Sequence, residues 1–142
     1  MIIKLKTELT ALCDYALLSN DGKLSIIGIF DELRVTQLPS MFVDKFLVAT
    51  VQGEPSKSYL IKMKLIKDGK DINLLNPLSL KINTSFNGKS NLIVRLANVQ
   101  INEEGDYYFK IYNEDIEIGK ILLKVGKVLS NRNDLNDSKQ PN

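Results

Sequence analysis

Apolar and polar residues alternate along almost the whole chain up to residue 126, and a repeat of two marks strands with one buried face. Tyr59, Ile61, Met63 and Leu65 alternate with Lys62 and Lys64, which predicts a half-exposed strand with its lysines in water. Leu78, Leu80 and Ile82 alternate with Ser79, Lys81 and Asn83, and Leu92, Val94 and Leu96 with Ile93, Arg95 and Ala97. Farther on, Tyr107, Phe109 and Ile111 share the phase that should face inward. The returning segment holds Ile116 and Ile118 in one phase and Ile121, Leu123 and Val125 in the other, so an extra residue is expected near Gly119-Lys120 as a β-bulge. No segment carries a helical pattern of three turns.

Turn chemistry divides these strands. Two long runs, residues 5–18 and 23–35, meet at Asn20-Asp21-Gly22, a strong hairpin signal with Gly22 supplying the turn. Within the second run, Leu24–Phe30 is apolar on both faces apart from Ser25, which predicts a central strand covered on each side. Gly28 inside it marks a bulge or a close backbone approach. Residues 38–44 contain Pro39 and read as a connecting loop. Further turns are predicted at Gly53-Glu54-Pro55-Ser56, Lys67-Asp68-Gly69-Lys70 and Asn87-Gly88.

Glu104-Gly105-Asp106-Tyr107 opens the last hairpin. An acidic residue, a glycine and then a tyrosine at a strand start is the sequence form of a tyrosine corner, in which the Tyr hydroxyl bonds back to the backbone. The plainer reading is a tight turn at Gly105 followed by an amphipathic Tyr107. Both are structural. The fold class expected is therefore all-β: an antiparallel, immunoglobulin-like β-sandwich of about eight strands, with a small closed β-barrel as the alternative. Residues 1–126 form the sandwich domain. Residues 127–142 lose their apolar side chains after Leu129 and are expected to be a polar, disordered tail.

Composition narrows the chemistry more than it suggests any. The 142 residues fit one domain. They include no histidine and a single cysteine, Cys13. Imidazole acid–base catalysis, histidine-containing triads, an intrachain disulfide and a cysteine-cluster zinc site are all excluded. The net charge of +2 comes mostly from lysine, with arginine only at Arg34, Arg95 and Arg132. That usage suits an AT-rich coding sequence and argues against nucleic-acid readout, which favours the planar arginine fork. No apolar run approaches the roughly 18 residues of a membrane span, and the first residues lack a signal-peptide core. A cytoplasmic protein with Cys13 reduced is expected.

Few residues stand out as candidates. Asp14 and Asp31 are the one carboxylate pair of interest. With a two-residue loop at Asp21-Gly22, Asp14 lies opposite Ile29 and Asp31 is its diagonal neighbour on one face, roughly 7–8 Å away. Such a pair could hold a hard cation or divide acid and base roles. With a three-residue loop, Asn20 to Gly22, the register moves by one and the two face opposite sides. The bland account makes Asp14 an edge-protecting charge and Asp31 a strand-end cap. Cys13 sits where a small apolar residue belongs and reads as a buried, inert thiol. Lys62, Lys64, Lys67 and Lys70 read as a solvated face, offset in part by Asp68 and Asp71. Tyr108 and Tyr112 point outward if Tyr107 points inward, and make a candidate contact patch.

Cys13-Asp14-Tyr15-Ala16, Asp21-Gly22-Lys23-Leu24, Gly28-Ile29-Phe30-Asp31 and Gly105-Asp106-Tyr107-Tyr108-Phe109 together resemble a family of small bacterial proteins known only as a domain of unknown function. The resemblance covers about residues 8–125 and implies a compact β-sandwich, with no activity, substrate or catalytic residue attached. Where members of that family have a small residue, this chain has Cys13. The function expected is a non-catalytic binding module in the cytoplasm, acting on another protein. The alternatives are a self-assembling component of a phage- or secretion-like particle, and a cation site or metal-dependent enzyme using Asp14 and Asp31. Carbohydrate binding is disfavoured by the lack of tryptophan. Neither a cofactor, nor nucleic acid, nor a membrane is expected as a partner, and a homo-oligomer stays open.

Overall fold

The computed structural model describes residues 4–41, 44–72 and 78–129. Twelve strands follow one another without a helix among the described residues: β1 (Lys6–Leu18), β2 (Leu24–Phe30), β3 (Glu32–Val35), β4 (Ser40–Met41), β5 (Lys45–Gln52), β6 (Ser58–Lys67), β7 (Lys70–Ile72), β8 (Leu78–Asn83), β9 (Lys89–Leu96), β10 (Gln100–Ile101), β11 (Gly105–Asn113) and β12 (Ile116–Lys127). Eight of them have six residues or more; the others are short pieces that cap or extend a sheet.

Two sheets form an immunoglobulin-like sandwich, and neither closes into a barrel. One is four-stranded in the order β2-β1-β5-β9. The other runs β3-β12-β11-β6-β7, with β8 also paired to β6, and the two-stranded piece β10-β4 stands apart. All pairings are antiparallel except β3 with β12. The core lies between the inner faces. Leu12, Leu47, Ala49, Val51, Leu92, Val94 and Leu96 come from the first sheet, and Ile61, Met63, Leu65, Tyr107, Phe109, Ile111 and Leu123 from the second. Each such side chain contributes roughly 1.5–3 kcal/mol by leaving water, so strict alternation in β6, β9 and β11 fixes which face turns inward.

The bulge falls at Ile118: Ile111 pairs with Gly119 and Tyr112 with Glu117, which leaves one residue over. Two end loops are tied together beside it in space. Gly53 N–H donates to the Gly88 carbonyl at 2.8 Å, and Thr84 Oγ1 donates to the Glu54 carbonyl at 2.6 Å while accepting from Lys57 N–H at 2.9 Å. Two expectations about the second run of the sequence need correcting. It is not one strand, because the chain leaves the first sheet after Phe30 and enters the second at Glu32. Nor is β2 central; it forms an edge, and its outward residues are uncovered. β12 ends at Lys127, and most of the polar tail, residues 130–142, lies outside the described residues.

Candidate functional site

The β1–β2 hairpin decides the fate of the carboxylate pair. Ser19 N–H donates to the Lys23 carbonyl at 2.8 Å, Gly22 takes φ +83°, and Asn20 to Gly22 form a three-residue loop. The strands therefore pair Cys13 with Ile29 and Leu12 with Phe30, which puts Asp14 opposite Gly28. Asp31 lies just past β2, in phase with Ala11 and so on the other side from Asp14. The shared face that would allow a cation between them is not formed. Instead, Lys45 Nζ donates to Asp14 at 2.7 Å, and the Asp31 carbonyl accepts from Lys124 N–H at 3.0 Å where the chain crosses between sheets. Gly28 has φ +73°, and a Cβ there would stand 2.5 Å from the Asp14 carboxylate. The glycine is required by both the backbone conformation and this close approach. Among the described residues, no three Cys, Asp or Glu side chains are grouped to hold a metal.

Tyr107 is fully buried, and its hydroxyl donates to the Glu103 carbonyl at 2.6 Å, closing the corner that Gly105 opens with φ +130°. Burial pushes the Tyr107 phenol above its ordinary range. Against its ring lies a residue that sequence reasoning misassigned. Lys67 belongs with the buried phase of β6 and not with the solvated lysines. Its ammonium stands 5.7 Å from the Tyr107 ring centre, 2.8 Å from Asp68 and 3.4 Å from Glu103. The Asp68 bond holds its pKa up. The signal was present, since Lys67 follows Ile61, Met63 and Leu65 at steps of two.

Tyr108 and Tyr112 do lie on the outer face of the second sheet, but lysines cover them. Lys120 sits over the Tyr108 ring at 5.3 Å and Lys64 over Tyr112 at 5.3 Å. Lys64, Lys110 and Lys120 stand in register across three adjacent strands, and Glu117 pairs with the middle one at 3.2 Å. This face is charged and wet.

The outer face of the first sheet is its opposite. The registers bring together Leu9, Ala11, Cys13, Tyr15 and Leu17 of β1, Ser25, Ile27 and Ile29 of β2, Phe46, Val48 and Thr50 of β5, and Asn91, Ile93 and Arg95 of β9. Arg95 is the one charged side chain in that array, paired at one margin with Asp44; at the other end of the sheet the same phase continues into Gln52, Lys6 and Lys89, the last of these paired with Glu8 at 3.3 Å. Thr50 and Asn91 satisfy each other at 2.7 Å. Cys13 and Val48 are fully buried at the centre, with Phe46 and Ile93 packed against them and Tyr15 set edge-on to Phe46 at 5.8 Å. Burial raises the Cys13 thiol, so it is a small apolar filler and a poor nucleophile. Around this centre Ile29 is 67% exposed, Ile27 57% and Tyr15 49%, and nothing among the described residues covers them. Contiguous apolar surface of this kind marks a contact site.

A groove of about 630 Å³ runs between the starts of β1 and β6 and the β11–β12 turn, lined in part by Lys4, Lys6, Lys57, Glu114 and Glu117. Its charges are of both signs and converge on no common point, so the apolar face is the stronger candidate.

Comparison with known proteins supplies a family and no activity. The model of a family of unknown function, DUF6941, matches residues 8–126. No curated protein matches the chain. Among solved structures, a β-glucosidase from Listeria innocua in complex with isofagomine is similar with a TM-score of 0.48 at 12% identity, over 89% of this chain and 16% of the enzyme. An immunoglobulin-like protein from Pseudomonas aeruginosa gives 0.43 at 7% identity, over 87% of this chain and 97% of its own. The chain spans only a small part of the glucosidase, and neither likeness transfers a site.

Proposed function

The chain belongs to that family of unknown function, and from this premise we propose that it is a non-catalytic binding module, cytoplasmic, whose partner is a protein seated on the outer face of the β2-β1-β5-β9 sheet. One observation carries the reading: the fourteen outward positions from Leu9 to Leu17 and their register partners hold a single charged side chain, Arg95, and include the exposed Ile27 and Ile29, while Lys6 and Lys89 of the same phase lie at the far end of the sheet. In a finished monomer such a face would normally alternate to polar residues, and the other sheet sets a lysine row among its outward apolar residues. Aromatic and aliphatic anchors over a desolvated centre are what protein interfaces place at their core. A nucleic acid or an acidic membrane surface would select the lysine-bearing face instead.

A photo-crosslinking residue placed at position 29, compared with one at position 64, tests the assignment in cells. Discrete adducts of defined mass are expected from position 29 and none from position 64. No discrete adduct from position 29, or the same products from both, would overturn the reading.

A further inference from the structure

We infer that the protein seated on the apolar face is a second copy of this chain, the two four-stranded sheets stacking face to face about a two-fold axis. The inference rests on the docking role proposed above and adds the identity of the occupant.

Charge is the first argument. In a two-fold contact each patch meets itself, so every charge near the axis meets its own sign. Around Cys13 and Val48 the face has no such charge, because its charges stand at the two ends: Arg95 engaged with Asp44 at one, Lys6 and Lys89, the latter engaged with Glu8, at the other. The opposite face of the molecule could not meet itself, with Lys64, Lys110 and Lys120 in one row. Nor does that row match the apolar face, which excludes a head-to-tail contact between the two.

Relief is the second. Ala11, Cys13 and Val48 are buried in the middle of the face, while Tyr15, Ile27 and Ile29 are exposed toward its β2 edge. A two-fold axis lying between the two sheets and parallel to the strands sets each copy's β2 edge over the other's β9 edge, so one surface supplies both halves of the contact. Size is the third. From Leu9 to Leu17 β1 runs about 27 Å, and four strands span about 19 Å, giving roughly 500 Å² per copy. Twice that, about 1,000 Å², is the least that a specific interface buries.

Light scattering after size exclusion tests this on the full chain, at concentrations up to about 100 µM. Expected is a mass twice the 16.0 kDa of one chain. Ile29→Glu should weaken self-association by about a hundredfold or more, as loss of an interface anchor does. Ile27→Lys should do the same, and Lys64→Glu should leave the dimer intact. Circular dichroism of each variant must retain the strand spectrum; Ile29→Ser provides a milder change should Ile29→Glu not fold. A wild-type mass of 16.0 kDa at every concentration would overturn the second copy as occupant, and adducts from position 29 to a different protein would then leave the docking role standing. A dimer that persists in both Ile29→Glu and Ile27→Lys would place the interface elsewhere and overturn the inference as well.

Discussion

The two sheets turn equivalent inner faces toward one core, yet their outer faces obey different rules. On the second sheet burial alternates along β6, and Lys62 and Lys64 go to water opposite Ile61, Met63 and Leu65, with Leu60 and Ile66 the apolar residues of the outward phase and Lys67 the charged one of the inward phase. On the first sheet Cys13 and Val48 are as deeply buried outside as Leu12 and Leu47 are inside. Three in-register lysines tolerate mutual repulsion on one side, while the other side keeps its charges, Arg95, Lys89 and Lys6, at its ends. A strand that alternates has its burial completed by its own chain. A strand apolar on both sides has had only half of its burial explained by its own chain.

The largest effect should come from a charge at the centre of the apolar side. Val48→Asp is expected to lose about 4 kcal/mol or more, because the carboxylate would be buried without a partner. Lys64→Asp, at an exposed position on the other face, should stay within about 0.5 kcal/mol. Urea unfolding of both variants measures the contrast, and equal costs would erase the distinction between the faces.

A smaller effect tests what pins the second sheet. Tyr107→Phe leaves the Glu103 carbonyl without its donor and should cost roughly 1–3 kcal/mol. The phenol of Tyr107 and the ammonium of Lys67 both have pKa values raised in the folded state. The folded chain then holds protons that the unfolded chain releases near pH ~10. Stability should thus be level below that pH and fall as pH rises through the folded values. Urea midpoints from pH 8 to 11 would show the fall, shallower in Tyr107→Phe; an unchanged slope would remove the tyrosine from this linkage.

The smallest effect belongs to the lysine row. Raising ionic strength from about 0.01 to 0.15 M shortens the screening length from about 30 to 8 Å. Relief of repulsion among Lys64, Lys110 and Lys120 should stabilise the protein by a few tenths of a kcal/mol. Thermal melts of Lys110→Gln should show a weaker response to salt than the parent.

The sandwich and its corner were legible because they depend on local pattern: alternation at a step of two, glycine at the turns, and a tyrosine placed after Gly105. The edge position of β2 was not. Leu24–Phe30 is apolar on both sides, and periodicity states that both sides are buried without naming what buries them. The placement of Asp14 and Asp31 turned on one residue of loop length, and Asn20-Asp21-Gly22 fits either a two- or a three-residue turn. Sequence reasoning therefore searched the margins, at Asp14, Tyr108 and Tyr112, while the candidate surface lay across the flat of β1, β2, β5 and β9. That surface exists only once four separated segments are set side by side, which no single stretch reveals.

The parallel pairing of β3 with β12 sets an order of events on the ribosome. Glu32 and Leu33 emerge well before their ladder partners Lys124 and Val125. The second sheet cannot be completed until β12 has been synthesised, whereas the β1–β2 hairpin can zip at once. Until β12 emerges, then, Ile27 and Ile29 ride on a formed hairpin beside other nascent copies from the same message.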